Sequence, residues 1–184
     1  PNPPPILLGA GVFQRLGERA KALNIKKAFV IAGPVMKKIG LADEAQKMLA
    51  NNGIPSVLFS EVEPDPPIEE VEKAGKIYKE EGCDGIVGLG GGSSLDAAKA
   101  VAIRVTHPGI MQEYGVLVGG AGKIKPPLPP IICIPTTSGT GSEVNQYAII
   151  TDKERNVKYI ILSDLLIPKL AIVDPVLCQT MPPG

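Results

Sequence analysis

Three adjacent glycines between an apolar run and a helix-forming run leave this chain few folds to choose from. Residues 86–99 read Ile-Val-Gly-Leu-Gly-Gly-Gly-Ser-Ser-Leu-Asp-Ala-Ala-Lys. The first part suits a buried strand and the last part a helix, with Gly90, Gly91 and Gly92 at the turn between them. A strand that feeds a helix through a glycine turn is the repeating unit of a parallel α/β sheet. The same order builds an anion site. Backbone N–H groups stand uncovered, the helix N-terminus carries partial positive charge, and the Ser93 and Ser94 hydroxyls can finish the cage. A pyrophosphate is the natural guest.

The rest of the chain repeats the alternation. Short apolar runs at 28–31, 56–59, 85–89, 130–134 and 171–173 read as strands. Apolar residues at helical spacing predict one helix over 35–50, stopped by Asn51-Asn52-Gly53. Pro66 and Pro67 open a second helix that runs to about Glu81, with Ile68, Val71, Ala74, Ile77 and Tyr78 on one face. A third covers 94–104. Strand–helix–strand units at this spacing imply right-handed crossovers and a mostly parallel sheet with helices on both faces. Residues 144–151 and 158–162 read instead as a β-hairpin around a polar turn. The Pro- and Gly-rich piece 115–130 reads as a long loop. Gly9-Ala10-Gly11 with Gly17 has the wrong offset for a dinucleotide fingerprint and reads as a tight turn into a helix. No Gly-Lys-Ser/Thr follows the central glycines, so they are not a Walker A loop.

Composition narrows the partners. Nineteen basic and nineteen acidic residues leave no net charge, so neither nucleic acid nor an anionic membrane is expected to bind. No apolar run approaches the ~18 residues of a membrane span. Cys83, Cys133 and Cys178 form neither a disulfide framework nor a zinc pair, and are expected as small buried thiols in a reducing, cytoplasmic setting. Length suits one domain over residues 1–184. The chain opens at Pro1 and closes on Met181-Pro182-Pro183-Gly184, and both ends are expected to be cuts in a longer protein.

A second polar segment follows the 130–134 strand. Residues 135–143 read Pro-Thr-Thr-Ser-Gly-Thr-Gly-Ser-Glu, five hydroxyls and two glycines in nine positions. Parallel sheets bind ligands outside the carboxyl ends of their strands, so two such loops predict one polar crevice. Together, Gly90-Gly91-Gly92-Ser93-x-x-Asp96-x-x-Lys99 and Pro135-Thr136-Thr137-x-Gly139-Thr140-Gly141-Ser142-Glu143 resemble the iron-containing (group III) alcohol dehydrogenase family. Supporting matches are Gly9-Ala10-Gly11, Leu16-Gly17, Glu63-Pro64-x-Pro66, Ala171-Ile172-Val173-Asp174-Pro175 and Met181-Pro182-Pro183. The resemblance covers essentially the whole chain.

It implies a Rossmann-like dinucleotide-binding domain, which in the family precedes an all-helical domain that carries the metal. Gly91, Gly92 and Ser93 would wrap the pyrophosphate, with Asp96 further along the helix near the nicotinamide side. Thr136, Thr137 and Thr140 would line the adenosine end. Asp65 stands where the family often has an Asn that meets the cofactor. Lys158 matches a lysine that reaches the cofactor's ribose, and Leu177 would pack on the adenine. Gly33 stands where the family often has an Asp that receives the ribose 2′-hydroxyl. Its absence removes an acceptor for NAD and a charge penalty against NADP, so NADP is favoured over NAD. Lys99 and Glu143 are expected as helix-surface or structural charges.

The family's iron, or another divalent metal, is held by one Asp and three His in the helical domain. This chain has only His107, expected at the surface, so the metal belongs to the full-length enzyme alone. The expected whole is a homo-oligomeric dehydrogenase of a small alcohol or aldehyde, and this chain its nucleotide-binding half without turnover. Two other readings stay open at this stage: a domain of a glycerol dehydrogenase or dehydroquinate-synthase-like enzyme, and a non-catalytic nucleotide-binding or assembly module.

Overall fold

A computed structural model of the chain describes residues 2–180. In chain order the elements are β1 (Ile6–Leu8), α1 (Leu16–Ala22), β2 (Ala28–Ala32), α2 (Pro34–Lys38), α3 (Leu41–Asn51), β3 (Ser56–Phe59) and α4 (Ile68–Glu80). There follow β4 (Gly85–Gly90), α5 (Gly92–Thr106), β5 (Ile131–Pro135), β6 (Tyr147–Asp152), β7 (Val157–Leu162) and β8 (Leu170–Val173).

Six strands form one sheet in the order β1-β8-β5-β4-β2-β3, and every neighbouring pair is parallel. The central strands β2, β4 and β5 are buried at every residue, which is why their sequences are continuous apolar runs without alternation. Period-two geometry then deals their side chains to two cores. Phe29, Ile31, Ile86, Ile131 and Cys133 meet α4 and α5 on one face. Ala28, Val30, Val87, Leu89, Ile132 and Ile134 meet Leu16, Ala45 and Leu49 from α1 and α3 on the other. The expected α/β architecture, with helices on both faces plus a hairpin, is the observed one.

The hairpin β6–β7 stands apart as an antiparallel pair. Ala148, Ile150 and Ile161 point into the core beside α5. The opposite face carries the cross-strand pairs Tyr147–Leu162, Ile149–Ile160 and Thr151–Lys158. A backbone bond from Thr151 N–H to Pro66 O (2.9 Å) ties β6 to the approach to α4. That tie brings Lys158 over the loop that holds Asp65.

Several local expectations change. The single helix over 35–50 is two, because Gly40 adopts φ +83° before α3 and breaks the helical run. The 94–104 helix begins earlier, so Gly92 already lies in its first turn with Gly91 as the cap. β1 was not anticipated, since three residues among prolines carry too little periodicity. The 115–130 loop contains 3-10 turns at Val116–Val118 and Gly120–Lys123. Gly11, at φ +78°, caps a 3-10 turn leading directly into α1, the tight turn expected there.

Cys83 and Cys133 are buried free thiols, whereas Cys178 is only half-buried on a short 3-10 segment. His107 keeps part of its surface in solvent, as expected, but it also has a structural role. It is half-buried, its Nε2 accepts the Lys125 backbone N–H at 2.8 Å, and its Nδ1 lies 2.8 Å from Thr106 Oγ1. It therefore pins the long loop to the end of α5. Met181-Pro182-Pro183 lies outside the described residues. Among the described residues no helix is long and apolar enough to cross a membrane.

Candidate functional site

Parallel strands deliver all their following loops to one edge. From β2 the chain moves outward to β3, and from β4 it moves the other way to β5, so the sheet's switch point lies between β2 and β4. A crevice opens there by construction. One cavity, about 220 Å³, lies between Gly33 and Pro34 after β2 and Gly90 and Gly91 after β4. A second, about 350 Å³, continues past the N-terminus of α5 between Asp65, Asp96, Thr140 and Lys158. Both share Ser93, so they are two parts of one trough.

The two glycine- and hydroxyl-rich loops are pressed together at its floor. A Cβ on Gly91 would lie 3.4 Å from the Thr137 side chain, and one on Gly92 only 3.0 Å from Thr140 Cγ2. The approach is tight at Gly92, whereas at Gly91 a Cβ would make ordinary contact. Gly90 adds a conformational demand, with φ +138°. Thr136 is buried and its N–H donates to Gly90 O at 3.0 Å, which fixes the threonine loop against the glycine turn. α5 accordingly presents its first N–H groups where no side chain covers them.

The polar wall is linked. The Asp65 N–H donates to Ser93 Oγ at 3.3 Å, and Lys158 Nζ lies 2.7 Å from Asp65 Oδ1. Asp65 holds a left-handed backbone at φ +55°. Asp96 is buried; its Oδ2 accepts the Ile149 N–H at 3.1 Å, and its buried Oδ1 has no partner. Burial pushes the Asp96 carboxyl up, opposed by the nearby Lys99 charge and by hydrogen bonds from Ser142 and the Ile149 N–H.

The trough thus gathers Gly33, Asp65, Gly91, Gly92, Ser93, Asp96, Thr140 and Lys158, with Thr137 and Thr136 packed behind. Leu177 lines neither cavity. It is buried in the core on the α1 and α3 side of the sheet. Gly33 has an ordinary extended backbone (φ −84°) and caps α2, with Pro34 in the first turn. A Cβ there would stand 3.1 Å from Val62 O.

Lys99 corrects the surface half of its expectation: it is fully buried. The signal was present, because α5 is apolar all round from Ala97 to Ile103 and such a helix has no solvent face. Ser142, quoted in the threonine-loop motif without a role of its own, also lines the trough, and so do Asn145, Tyr147 and Ile149, which no motif singled out. A larger hollow of about 440 Å³ lies along α4 beside Arg104 of α5, where Arg104 pairs with Glu72 at the surface. Among the described residues no group of three or more His, Cys, Asp or Glu is placed to hold a metal ion. The described residues do not fit the metal that the resemblance implies.

An open parallel sheet with a glycine-floored crevice at its switch point defines a doubly wound α/β domain. More specifically, the chain belongs to the iron-containing alcohol dehydrogenase family, whose sequence model matches residues 3–175. It is 42% identical over 175 residues to a choline dehydrogenase of Bacillus subtilis, covering 95% of this chain and 43% of that protein. It is 35% identical over 182 residues to an NAD-dependent methanol dehydrogenase of Bacillus methanolicus, covering 99% of this chain and 47% of that protein. A crystal structure of a 1,3-propanediol oxidoreductase superposes with a TM-score of 0.92 at 34% identity, covering 98% of this chain and 46% of the other. The chain therefore spans less than half the length of the relatives it matches, and its fold is that of one part of them.

Proposed function

We propose that this chain is the NAD(P)-binding half of a metal-dependent alcohol dehydrogenase that moves hydride between an alcohol and a nicotinamide cofactor. The observation that carries the reading is the contact of the two loops, Gly91 on Thr137 and Gly92 on Thr140, at the switch-point crevice. Uncovered N–H groups at the start of α5, with Ser93, suit a pyrophosphate. The trough continues from there to Asp96 and Lys158, whose acceptor and donor groups suit the nicotinamide-side ribose and its neighbours. Thr136, Thr137 and Thr140 are assigned to the adenosine end, Gly33 to the adenosine ribose and Leu177 to the adenine. The bound cofactor would supply the hydride acceptor, while these residues bind and orient it. The relatives named for methanol and 1,3-propanediol support a small alcohol or aldehyde as substrate of the whole protein. The described residues alone are expected to bind nucleotide without turnover.

Gly33 supports acceptance of NADP beside NAD, because position 33 itself carries no carboxylate to repel a 2′-phosphate and the nearby Glu63 is paired with Lys153 at 2.9 Å. The described lining near Gly33 holds Glu63 and no Lys or Arg, so the reading is tolerance without active recruitment. Calorimetric titration of the chain with both cofactors tests this. NADP should bind within about tenfold of NAD or tighter. NAD tighter by more than that removes the idea, and binding of neither removes the functional reading.

We also propose self-association. Ile6 and Leu8 on edge strand β1, and Leu117, Val118, Ile149 and Ile160 around the hairpin, are exposed apolar side chains. Sedimentation velocity should show a dimer or larger species, and a concentration-independent monomer would contradict it. The free thiols support a reducing, cytoplasmic setting, which cell fractionation checks: recovery in an oxidising compartment would refute it.

A further inference from the structure

His107 is the single histidine of the chain. It caps the C-terminus of α5, at the start of the long loop that returns to it at Lys125. Its two ring nitrogens face partners of different kinds. The Lys125 backbone N–H lies 2.8 Å from Nε2. That group can only donate, so Nε2 must present its lone pair. A neutral imidazole then carries its hydrogen on Nδ1. Thr106 Oγ1 lies 2.8 Å from Nδ1 and can accept, because its own hydrogen goes to Ala102 O at 2.8 Å. Lys125 N–H, the imidazole, the Thr106 hydroxyl and the Ala102 carbonyl thus form one relay with every donor pointing the same way.

The relay admits one protonation state. An imidazolium has a hydrogen on both nitrogens and no acceptor, so Nε2–H would meet the Lys125 N–H donor to donor. The charged groups around the ring do not change this. On α5, Arg104 Nη1 reaches the His107 carbonyl at 3.4 Å, and its side chain pairs with Glu72 of α4. Within the loop, Glu113 pairs with Lys123 at 3.3 Å. Tyr114 sets its ring edge-on to the imidazole at 5.7 Å, and its hydroxyl donates to Pro108 O. Burial pushes the Tyr114 phenol up, so it stays a donor wherever an imidazole titrates. The loop closed at this point supports the hairpin. Gln112 Nε2 donates to Asp152 Oδ2 at 3.0 Å, and Gly115 bridges to Ile161 of β7. Bonds from Gln112 and the Arg155 N–H hold the Asp152 carboxyl below the usual carboxylate range, so that tie does not titrate with the ring. Tyr147, Ile149 and Lys158 of the same hairpin line the trough.

We infer that His107 is an acid-sensitive clasp: its neutral ring fastens the returning end of the loop to α5, and protonation of the ring unfastens it. The clasp is closed above the ordinary imidazole range, about pH 6.5, and opens as the pH falls through that range. Its action does not depend on what the trough binds. A ring that merely fills space at the helix end would titrate without moving the loop.

Nitrogen NMR follows the ring without ambiguity, since the chain has no second imidazole. At about pH 8 Nδ1 should carry the hydrogen and Nε2 should not. Hydrogen exchange of the Lys125 amide, expressed as a protection factor against the unfolded rate at each pH, gives the state of the clasp. Protection should fall about tenfold in step with the ring's titration, equivalent to losing one hydrogen bond. In His107→Gln, whose side chain does not titrate, Lys125 protection should stay constant over the same range. In His107→Phe it should be low at every pH. A hydrogen on Nε2 at pH 8 in the wild type overturns the inference, and so does Lys125 protection that ignores the ring's titration. A pH response that survives in His107→Gln assigns the effect to another group and is equally fatal. If His107→Phe does not fold, the wild type and His107→Gln decide the question between them.

Discussion

Gly90, Gly91 and Gly92 stand together in the chain but answer to different physical demands. Gly90 needs its backbone: at φ +138° a side chain is strained, and its Cβ would stand 2.8 Å from Ser94 Oγ. Gly92 has ordinary helical geometry and needs space, because its Cβ would stand 3.0 Å from Thr140 Cγ2. Alanine substitutions should separate the two. Gly90→Ala is expected to lose about 1–3 kcal/mol of stability in urea unfolding through backbone strain. Gly92→Ala gains helix propensity of about 1 kcal/mol against the contact with Thr140, so its stability should change little. Its ADP affinity should fall about tenfold, because a methyl group then covers the seat proposed for the pyrophosphate. If both variants lose stability alike and bind ADP normally, the division is wrong. The glycine turn between β4 and α5 could be read from the chain because glycine clusters have few other uses. The pressure of Thr140 on Gly92 could not, since the rest of α5, a long loop and a strand separate them in the chain.

Among elements, the packing of α1 on α3 rests on one residue. A Cβ on Gly17 would stand 2.3 Å from Met48 O and 2.2 Å from Asn52 Nδ2. A backbone carbonyl cannot rotate away as a flexible side chain can. Gly17→Ala should therefore force the two helices apart and cost about 3 kcal/mol, near the upper end for overpacking. Urea unfolding measures it, and a loss below about 1 kcal/mol would show that the helices slide without penalty. Helix existence and faces were legible: the expected face of α4 is the buried one, with Ile77 at its margin. The break at Gly40 was not, because an isolated glycine within a helical pattern can be tolerated or can turn the chain. Neighbouring α1 and β2 decide which.

At the scale of the molecule, the sheet buries Cys133 completely, between α5 and the strands on either side. Burial pushes its thiol up to about 12 from an ordinary value of 9.0. The native state then holds a proton that the unfolded chain releases, so this contribution is constant below the ordinary thiol range and is lost as pH rises through it. The slope is about 1.4 kcal/mol per pH unit above about pH 9. Lys99, lowered by burial, contributes with the opposite sign below its own ordinary value of 10.5. Cys133→Ala should remove the downward slope of one proton from the alkaline limb of a stability–pH series measured by urea unfolding. An unaltered limb would assign the titration elsewhere.

Local regularities carried most of what the chain announces. Apolar runs of strand length, helical periodicity, and two loops rich in glycine and hydroxyls are properties of neighbouring residues, and they led to the α/β class, the crevice and the family. Burial is different, because it depends on which elements meet. Lys99 and Asp96 look in the sequence like a charged pair on an ordinary helix. They become a fully buried lysine and a buried carboxylate with one open oxygen only because β6 folds back over α5. His107 likewise becomes a structural joint only when the loop reaching Lys125 returns to it. A charge's neighbours in space set its solvation and hydrogen bonds, and so its chemistry. Those neighbours are chosen by the tertiary fold.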